Sequence, residues 1–207
     1  MNIIFDLDGT LIDSSERMYR LFQRLIAESI FTKEEYWSLK RNKVNHRIIL
    51  EKYFPNYDFD TFEKAWLSMI ELPEYLEMDK NYPDTIDVLN FLKSENNIIL
   101  LTARQSKKEL YSELERLNII NYFDLILVTE TRYSKEKLLE RFEKEGITRE
   151  KADFFVSDMG NDIAFANKRE YHTVGITHGF MNHEHLKEYN PRYIIDELKE
   201  LKTLIAI

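Results

Sequence analysis

The chain contains no cysteine, which excludes disulfides, thiolate zinc centres and cysteine nucleophiles together. It has no long apolar run and no basic stretch ahead of one, and Met1 leads straight into the first apolar run. Neither a signal peptide nor a membrane span is therefore expected, and a cytoplasmic location is. Internal repeats and low-complexity tracts are absent as well. Positive charge is in deficit, with 29 Lys and Arg against 37 Asp and Glu and a net charge of -8. At a pI near 5.3, nothing neutralises a phosphate backbone, so no nucleic-acid partner is expected. Small phosphorylated substrates stay open, because a bound divalent ion can invert the local field. What is present is 207 residues, 43% of them hydrophobic, enough for a full core plus a sizeable insertion.

The most informative stretch closes the first apolar run: Phe5-Asp6-Leu7-Asp8-Gly9-Thr10-Leu11-Ile12-Asp13-Ser14. Asn2 to Phe5 reads as a short buried strand, and carboxylates at i and i+2 of an extended chain point to the same side. Two like charges held so close call for a cation or a shifted pKa. Gly9 lets the chain turn where a Cβ would obstruct it. The spacing points to a magnesium-dependent site with one Asp available as nucleophile.

Five apolar runs read as strands: Ile3 to Phe5, Ile98 to Leu101, Leu125 to Val128, Phe154 to Val156 and Thr173 to Ile176. Helical patterns separate the later ones, and Ser106 with Glu109 suggests a capping box. Strand alternating with helix predicts an α/β fold with a parallel sheet. Residues 14 to 81 break that rhythm. Met18, Leu21, Phe22, Leu25 and Ile26 follow helical spacing, Thr32 with Glu35 suggests another capping box, and helical stretches recur near 45–53 and 60–70. No strand candidate lies between the first run and Ile98. The expected organisation is a core of residues 1–13 and 82–207 with an all-helical insertion, 14–81, and Asn81-Tyr82-Pro83-Asp84 as its exit hinge.

Polar residues fall where such a sheet would use them. Asp6 and Asp8 follow the first strand, Thr102 the second, Asp158 and Asp162 the fourth, and ligands bind outside the carboxyl ends of parallel strands. Lys135, near the start of the helix after the third strand, adds positive charge. In phosphoryl transfer Asp6 would attack phosphorus, forming an aspartyl-phosphate, and Asp8 would protonate the leaving oxygen and then take a proton from water. Magnesium would be held by Asp6, the main-chain carbonyl of Asp8 and Asp158. Thr102 and Lys135 would hold the phosphoryl oxygens, and Asp162 would orient Lys135 or a metal-bound water from behind.

These motifs resemble the haloacid dehalogenase-like (HAD) hydrolases, in the branch of phosphoglycolate phosphatase and β-phosphoglucomutase. Asp6 to Ser14 matches the first family motif, Leu100-Leu101-Thr102 the second, Lys135 the third, and Ser157 to Asp162 the fourth. The resemblance implies a Rossmann-like core with the first strand between the second and fourth, a small helical cap and Mg2+ as cofactor. Gly9, Thr10, Thr102, Ala103 and Lys135 are expected around the phosphoryl group. Ser157 stands where the family usually has Gly, a small change expected to be harmless. In Ser134-Lys135-Glu136-Lys137, where the family often has Lys-Pro, Lys137 competes with Lys135.

Arg104 is open between a substrate contact and a solvated loop residue. In the insertion, Lys40, Arg41, Asn42, Lys43, Asn45, His46 and Arg47 form a mostly basic cluster. A solvated helix face is the plainer reading, and a turn presenting Arg41, Lys43 or His46 to the leaving group is the functional one. His178, His183 and His185 lack partners at ligand spacing and read as surface histidines. The expected function is a phosphatase of a small phosphorylated metabolite. A phosphomutase is its nearest rival, using the same two aspartates. A dehalogenase needs neither Asp8 nor magnesium, and a phosphonate hydrolase would need a Schiff-base lysine, for which Lys40 and Lys43 are available. A phospho-accepting signalling domain usually carries its acceptor after a later strand and has no helical insertion. A non-catalytic binding protein would have lost residues that are all present here.

Overall fold

The computed structural model describes residues 1–145 and 153–205. Apolar strands assemble first in any account of it. β1 (Asn2–Phe5) is buried along its whole length, and its side chains alternate between two cores as a strand's period of two demands. Ile3 and Phe5 join one cluster, Ile4 the other.

β1 lies in the middle of a six-stranded sheet with β4 (Asn97–Thr102), β5 (Leu125–Val128), β6 (Phe154–Ser157), β7 (His172–Ile176) and β8 (Tyr193–Ile195), in the order β5-β4-β1-β6-β7-β8. Every pairing in it is parallel. The chain builds outward from β1 in one direction through β4 and β5, then in the other through β6, β7 and β8. β1 therefore stands at the topological switch point, with the expected neighbours on either side. The five sequence-predicted strands all form. The sixth, β8, was not expected: three residues after Pro191-Arg192 are too few for a period to register.

Helices α6 (Thr85–Lys93), α7 (Lys107–Arg116) and α11 (Leu201–Ile205) cover one face, α8 (Lys135–Glu145) and α9 (Gly160–Lys168) the other, and α10 (His183–Lys187) precedes β8. The Ser106 cap on α7 is half of the expected box. Ser106 Oγ accepts the Glu109 N–H at 3.2 Å, but the Ser106 N–H is taken at 2.8 Å by Glu71 from the helical segment.

Between β1 and β4 the chain forms α1 (Ser15–Leu25), α2 (Lys33–Arg41), α3 (His46–Tyr53), α4 (Phe59–Met69) and α5 (Pro73–Leu76). Local chemistry sets their starts. Thr32 and Glu35 make the full capping box on α2, Asn45 caps α3 through the Ile48 N–H, and Asp58 caps α4 through the Thr61 N–H. The segment has its own core of Phe22, Ile26, Tyr36, Ile49, Leu50 and Phe62. One expectation is corrected here. The stretch before Ile98 does contain strands, since β2 (Ile12–Asp13) and β3 (Lys80–Asn81) form an antiparallel ribbon where the chain enters and leaves the segment. Two residues per strand give no periodic signal, and their pairing is purely long-range.

His46 belongs to this helical core and not to a substrate pocket. Its ring lies 4.2 Å from that of Trp66 and 5.1 Å from that of Phe62, and Nε2 shares a 2.9 Å hydrogen bond with the Tyr36 hydroxyl. Desolvation, then the Lys40 charge, push the imidazole down to about 2. A histidine held neutral in the fold binds its proton in the unfolded chain first, so its contribution is complete above the ordinary histidine value and is lost as pH falls below it. Between about pH 7 and about pH 5.5 the protein should lose about 1 kcal/mol more stability than a His46→Gln variant. Denaturant titrations at the two pH values check this, and parallel pH slopes would refute it.

Candidate active site

At the carboxyl end of β1 the chain reverses tightly, with the N–H groups of Thr10, Leu11 and Ile12 all directed at the Leu7 carbonyl. Gly9 makes the turn possible with φ +79°, and a Cβ there would stand 2.2 Å from Asp158 Oδ2. Asp6, 4% exposed, is fixed by the turn itself. Its Oδ1 accepts the Leu7 N–H at 2.7 Å and meets Lys135 Nζ at 2.6 Å. Its Oδ2 has only the Ser157 hydroxyl at 3.5 Å, which leaves that oxygen free to react or to bind. Burial raises the Asp6 carboxyl to about 6 against the opposing pull of Lys135.

Lys135, the first residue of α8, also meets Asp162 at 2.6 Å. Burial would discharge its ammonium, but Asp162 and Asp6 outweigh that and hold it charged well above its usual range. Of the two lysines it is Lys135 that the structure brings to Asp6, while Lys137, two residues further along α8, is exposed. Ser157 is tied into the site. Its hydroxyl reaches Asp162 Oδ2 at 3.0 Å as well as Asp6, and it accepts the Met159 N–H at 3.1 Å.

Asp158 follows β6, is fully buried, and lies close enough to Asp6 for that carboxylate to bear on it. Burial first, then the Asp6 charge, push its carboxyl well up, opposed by the Phe180 N–H and the Thr10 hydroxyl. Those two donors hold it at 2.7 and 3.0 Å. Thr10 is thus fully buried and serves Asp158 rather than a substrate. Gly179 closes over the same carboxylate, for a Cβ there would lie 2.2 Å from Asp158 Oδ2 and 2.3 Å from the Gly9 carbonyl oxygen. Among the described residues no group of three His, Asp or Glu side chains converges on one point. The set here is two buried carboxylates, with the Asp6 charge pushing the Asp158 carboxyl up. That is an oxygen-only donor set of the kind magnesium takes when it keeps several waters, so the residues fit the ion.

Asp8 sits in a buried charge network. Arg104 grips it in bidentate fashion, Nε to Oδ2 at 2.6 Å and Nη2 to Oδ1 at 2.9 Å, and Arg17 of α1 binds the same Oδ1. Burial tends to raise the Asp8 carboxyl, but Arg104 and Arg17 win and hold it far below the usual carboxylate range. Behind them lie Asp79, 3.3 Å from Arg17 and 3.4 Å from Arg104, and Glu113 at 2.9 Å from Arg104. Burial drives Asp79 up to about 9 against the pull of Arg17, with the Asp8 charge adding to the rise. Neither expectation for Arg104 describes it. The side chain is 4% exposed and spent on acids of the protein itself.

A cavity of about 720 Å³ opens over this site, with Asp6, Asp8, Thr102, Ala103, Lys135 and Asp162 on its wall. The helical segment contributes Met18 and Lys40, and Phe180 comes from the loop after β7. Arg41, Lys43 and His46, expected at the substrate, do not line it. Arg41 donates to the Thr177 carbonyl at 2.7 Å, and Lys43 pairs with Glu188 at 2.5 Å, so both tie the helical segment to the sheet. Their charge is consumed by nearer acceptors on the core. His178 also has a local role, stacked on Tyr82 with Nε2 bonded to the Thr10 carbonyl at 3.0 Å. Arg17, Asp79, Glu113, Gly179 and Phe180 escaped sequence reasoning, because no spacing rule links positions so far apart.

A parallel doubly wound sheet with buried aspartates and a paired lysine at its switch point defines an α/β enzyme built around carboxylate chemistry. The chain belongs to the haloacid dehalogenase-like hydrolase family, whose sequence profile matches residues 3–176. It is 26% identical over 221 residues to a phosphoglycolate phosphatase of Nitrosococcus oceani, covering 99% of this chain and 96% of that protein. A pyrophosphatase, PpaX, of Oceanobacillus iheyensis is 24% identical over 212 residues, with 99% and 96% covered. Among solved structures, a HAD-like family hydrolase from Streptococcus pneumoniae superposes with a TM-score of 0.79 at 22% identity, covering 99% of this chain and 97% of that one. No helix among the described residues is long and apolar enough to cross a membrane.

Two outcomes follow from the packing. Gly179→Ala should displace Asp158 and the Gly9 turn and lower hydrolase turnover by roughly 100-fold, the cost of misplacing a reacting geometry by about 1 Å; a circular dichroism spectrum like that of the native protein would locate the loss in the site, and undiminished turnover would refute it. Arg104→Met leaves Asp8 and Glu113 without their shared cation and should destabilise the fold by about 3 kcal/mol in urea unfolding; a loss under about 1 kcal/mol would mean the network is not held by that residue.

Proposed function

We propose that the chain is a magnesium-dependent phosphatase of a small phosphorylated metabolite, working through an aspartyl-phosphate on Asp6. The observation that carries the reading is the Lys135 ammonium, 2.6 Å from both Asp6 and Asp162, beside an Asp6 Oδ2 with no strong partner. A lysine held charged against the nucleophile neutralises an incoming phosphoryl group and lowers the repulsion between two anions. The phosphatase names of the relatives that span nearly the whole chain support the same class.

In this reading Asp6 attacks phosphorus, the bond to the leaving oxygen breaks, and Thr102 and Lys135 hold the non-bridging oxygens while charge redistributes. Asp6, Asp158 and the Asp8 carbonyl would hold magnesium, which when bound would neutralise charge on the phosphoryl oxygens. Asp8 is a carboxylate at rest because Arg104 and Arg17 keep it so. That is the form needed to take a proton from the water that hydrolyses the aspartyl-phosphate. The proton it passes to the leaving oxygen in the first step then comes from the substrate's own phosphoryl hydroxyl or from water. Residues 14–81 act as the cap, with Arg41 and Lys43 fastening it over the cavity.

Phosphate release from a chromogenic phosphomonoester, with and without magnesium, tests the proposal. Asp6→Asn should abolish release by at least roughly 1,000-fold, as loss of a nucleophile does, while leaving the unfolding midpoint unchanged or higher because a buried charge is removed. Equal rates in the two proteins would remove Asp6 from the mechanism.

A further inference from the structure

The basic cluster of the helical segment contains one member without an employer in the fold. Arg41 is bonded to Thr177, Lys43 to Glu188, and Arg47 lies 3.7 Å from Asp60 and over the Phe59 ring. Lys40, in the last turn of α2, lines the cavity, and among the described residues no carboxylate or carbonyl is paired with its ammonium. Desolvation lowers that ammonium to about 8, which leaves it mostly charged at neutral pH. Trp37 shares the helix face of Lys40 and packs against Phe180 with ring centres 5.0 Å apart, and Phe180 is the residue whose N–H holds Asp158.

An unpaired, half-buried cation in a cavity is costly unless something in the cavity compensates it. The phosphoryl end already has Lys135 and Thr102, and the buried carboxylates of the cavity are engaged, Asp6 and Asp162 with Lys135 and Asp8 with the arginines; Glu136 and Lys168 lie on the wall as well. The helical segment's other contribution to the wall, Met18, is apolar, as are Met159 and Phe180. Resting on the phosphatase reading above, we propose that Lys40 is a specificity residue that binds a second anionic group on the substrate, a carboxylate or a second phosphate, so that doubly anionic phosphoesters are preferred over esters of neutral alcohols.

Binding to the Asp6→Asn protein in the presence of magnesium tests this without turnover. Calorimetric titrations would compare 2-phosphoglycolate, which adds a carboxylate, inorganic pyrophosphate, which adds a phosphate, and ethyl phosphate, which adds neither. Lys40→Met, in that background, should weaken at least one of the first two by roughly 10- to 100-fold, the worth of a charge-assisted hydrogen bond. Ethyl phosphate should change by less than about twofold, and Lys40→Arg should keep most of the preference. The arm that loses more identifies the second anion. Equal losses on all three ligands, no loss on any, or tighter binding of ethyl phosphate than of the others would overturn the role of Lys40 and leave the phosphatase reading standing. Failure of all three to bind, together with no magnesium-dependent phosphate release by the wild-type protein, would overturn both.

Discussion

A single ammonium makes the candidate site possible. Lys135 touches Asp6 and Asp162 at 2.6 Å each, and without it the end of β1 would gather buried negative charge that no fold of this size could hold ionised. The surrounding architecture serves that arrangement. The parallel sheet brings the ends of β1, β4 and β6 to one edge, α8 begins there with Lys135, and α9 returns Asp162 to the same ammonium. The turn after Asp6 is tight because Gly9 accepts a left-handed backbone under Asp158.

The second acidic centre is compensated differently. Asp8 is neutralised by two arginines, one from the helical segment and one from the core, backed by Asp79 and Glu113. Arg17 lies on α1, so the ionisation of Asp8 depends on where that segment sits. The core and the segment are joined by further polar ties, Arg41 to Thr177, Lys43 to Glu188 and Glu71 to the N–H groups of Gln105 and Ser106. These contacts make the site a shared product of both parts of the chain, while each part keeps its own apolar core.

Sequence legibility divides along the same lines. Strands β1, β4, β5, β6 and β7 were readable because each is a buried apolar run, and Thr32 with Glu35 announced a helix start through a local capping box. Asp6, Asp8, Thr102, Lys135, Asp158 and Asp162 were readable because their positions after strands imply one edge of one sheet. The β2–β3 ribbon and β8 were not, since two or three residues carry no period and their pairing is non-local. Arg41 and Lys43 misled for a related reason. Their composition suggested an anionic ligand, yet a carbonyl and a carboxylate brought close only by folding, those of Thr177 and Glu188, were nearer. Lys40, indistinguishable from them in sequence, is the one that reaches the cavity.

The central claim is that Asp6 carries the phosphoryl group between two half-reactions, and trapping that intermediate tests it most directly. Enzyme mixed with a phosphorylated substrate and magnesium would be quenched in acid within the first turnover, reduced with borohydride, digested and analysed by mass spectrometry. Borohydride converts an acyl phosphate to an alcohol, so the account predicts homoserine at position 6 and unmodified aspartate at positions 8 and 158. Reduction at Asp8 or Asp158, or phosphate release in a full first turnover with no modified residue at position 6, would contradict it.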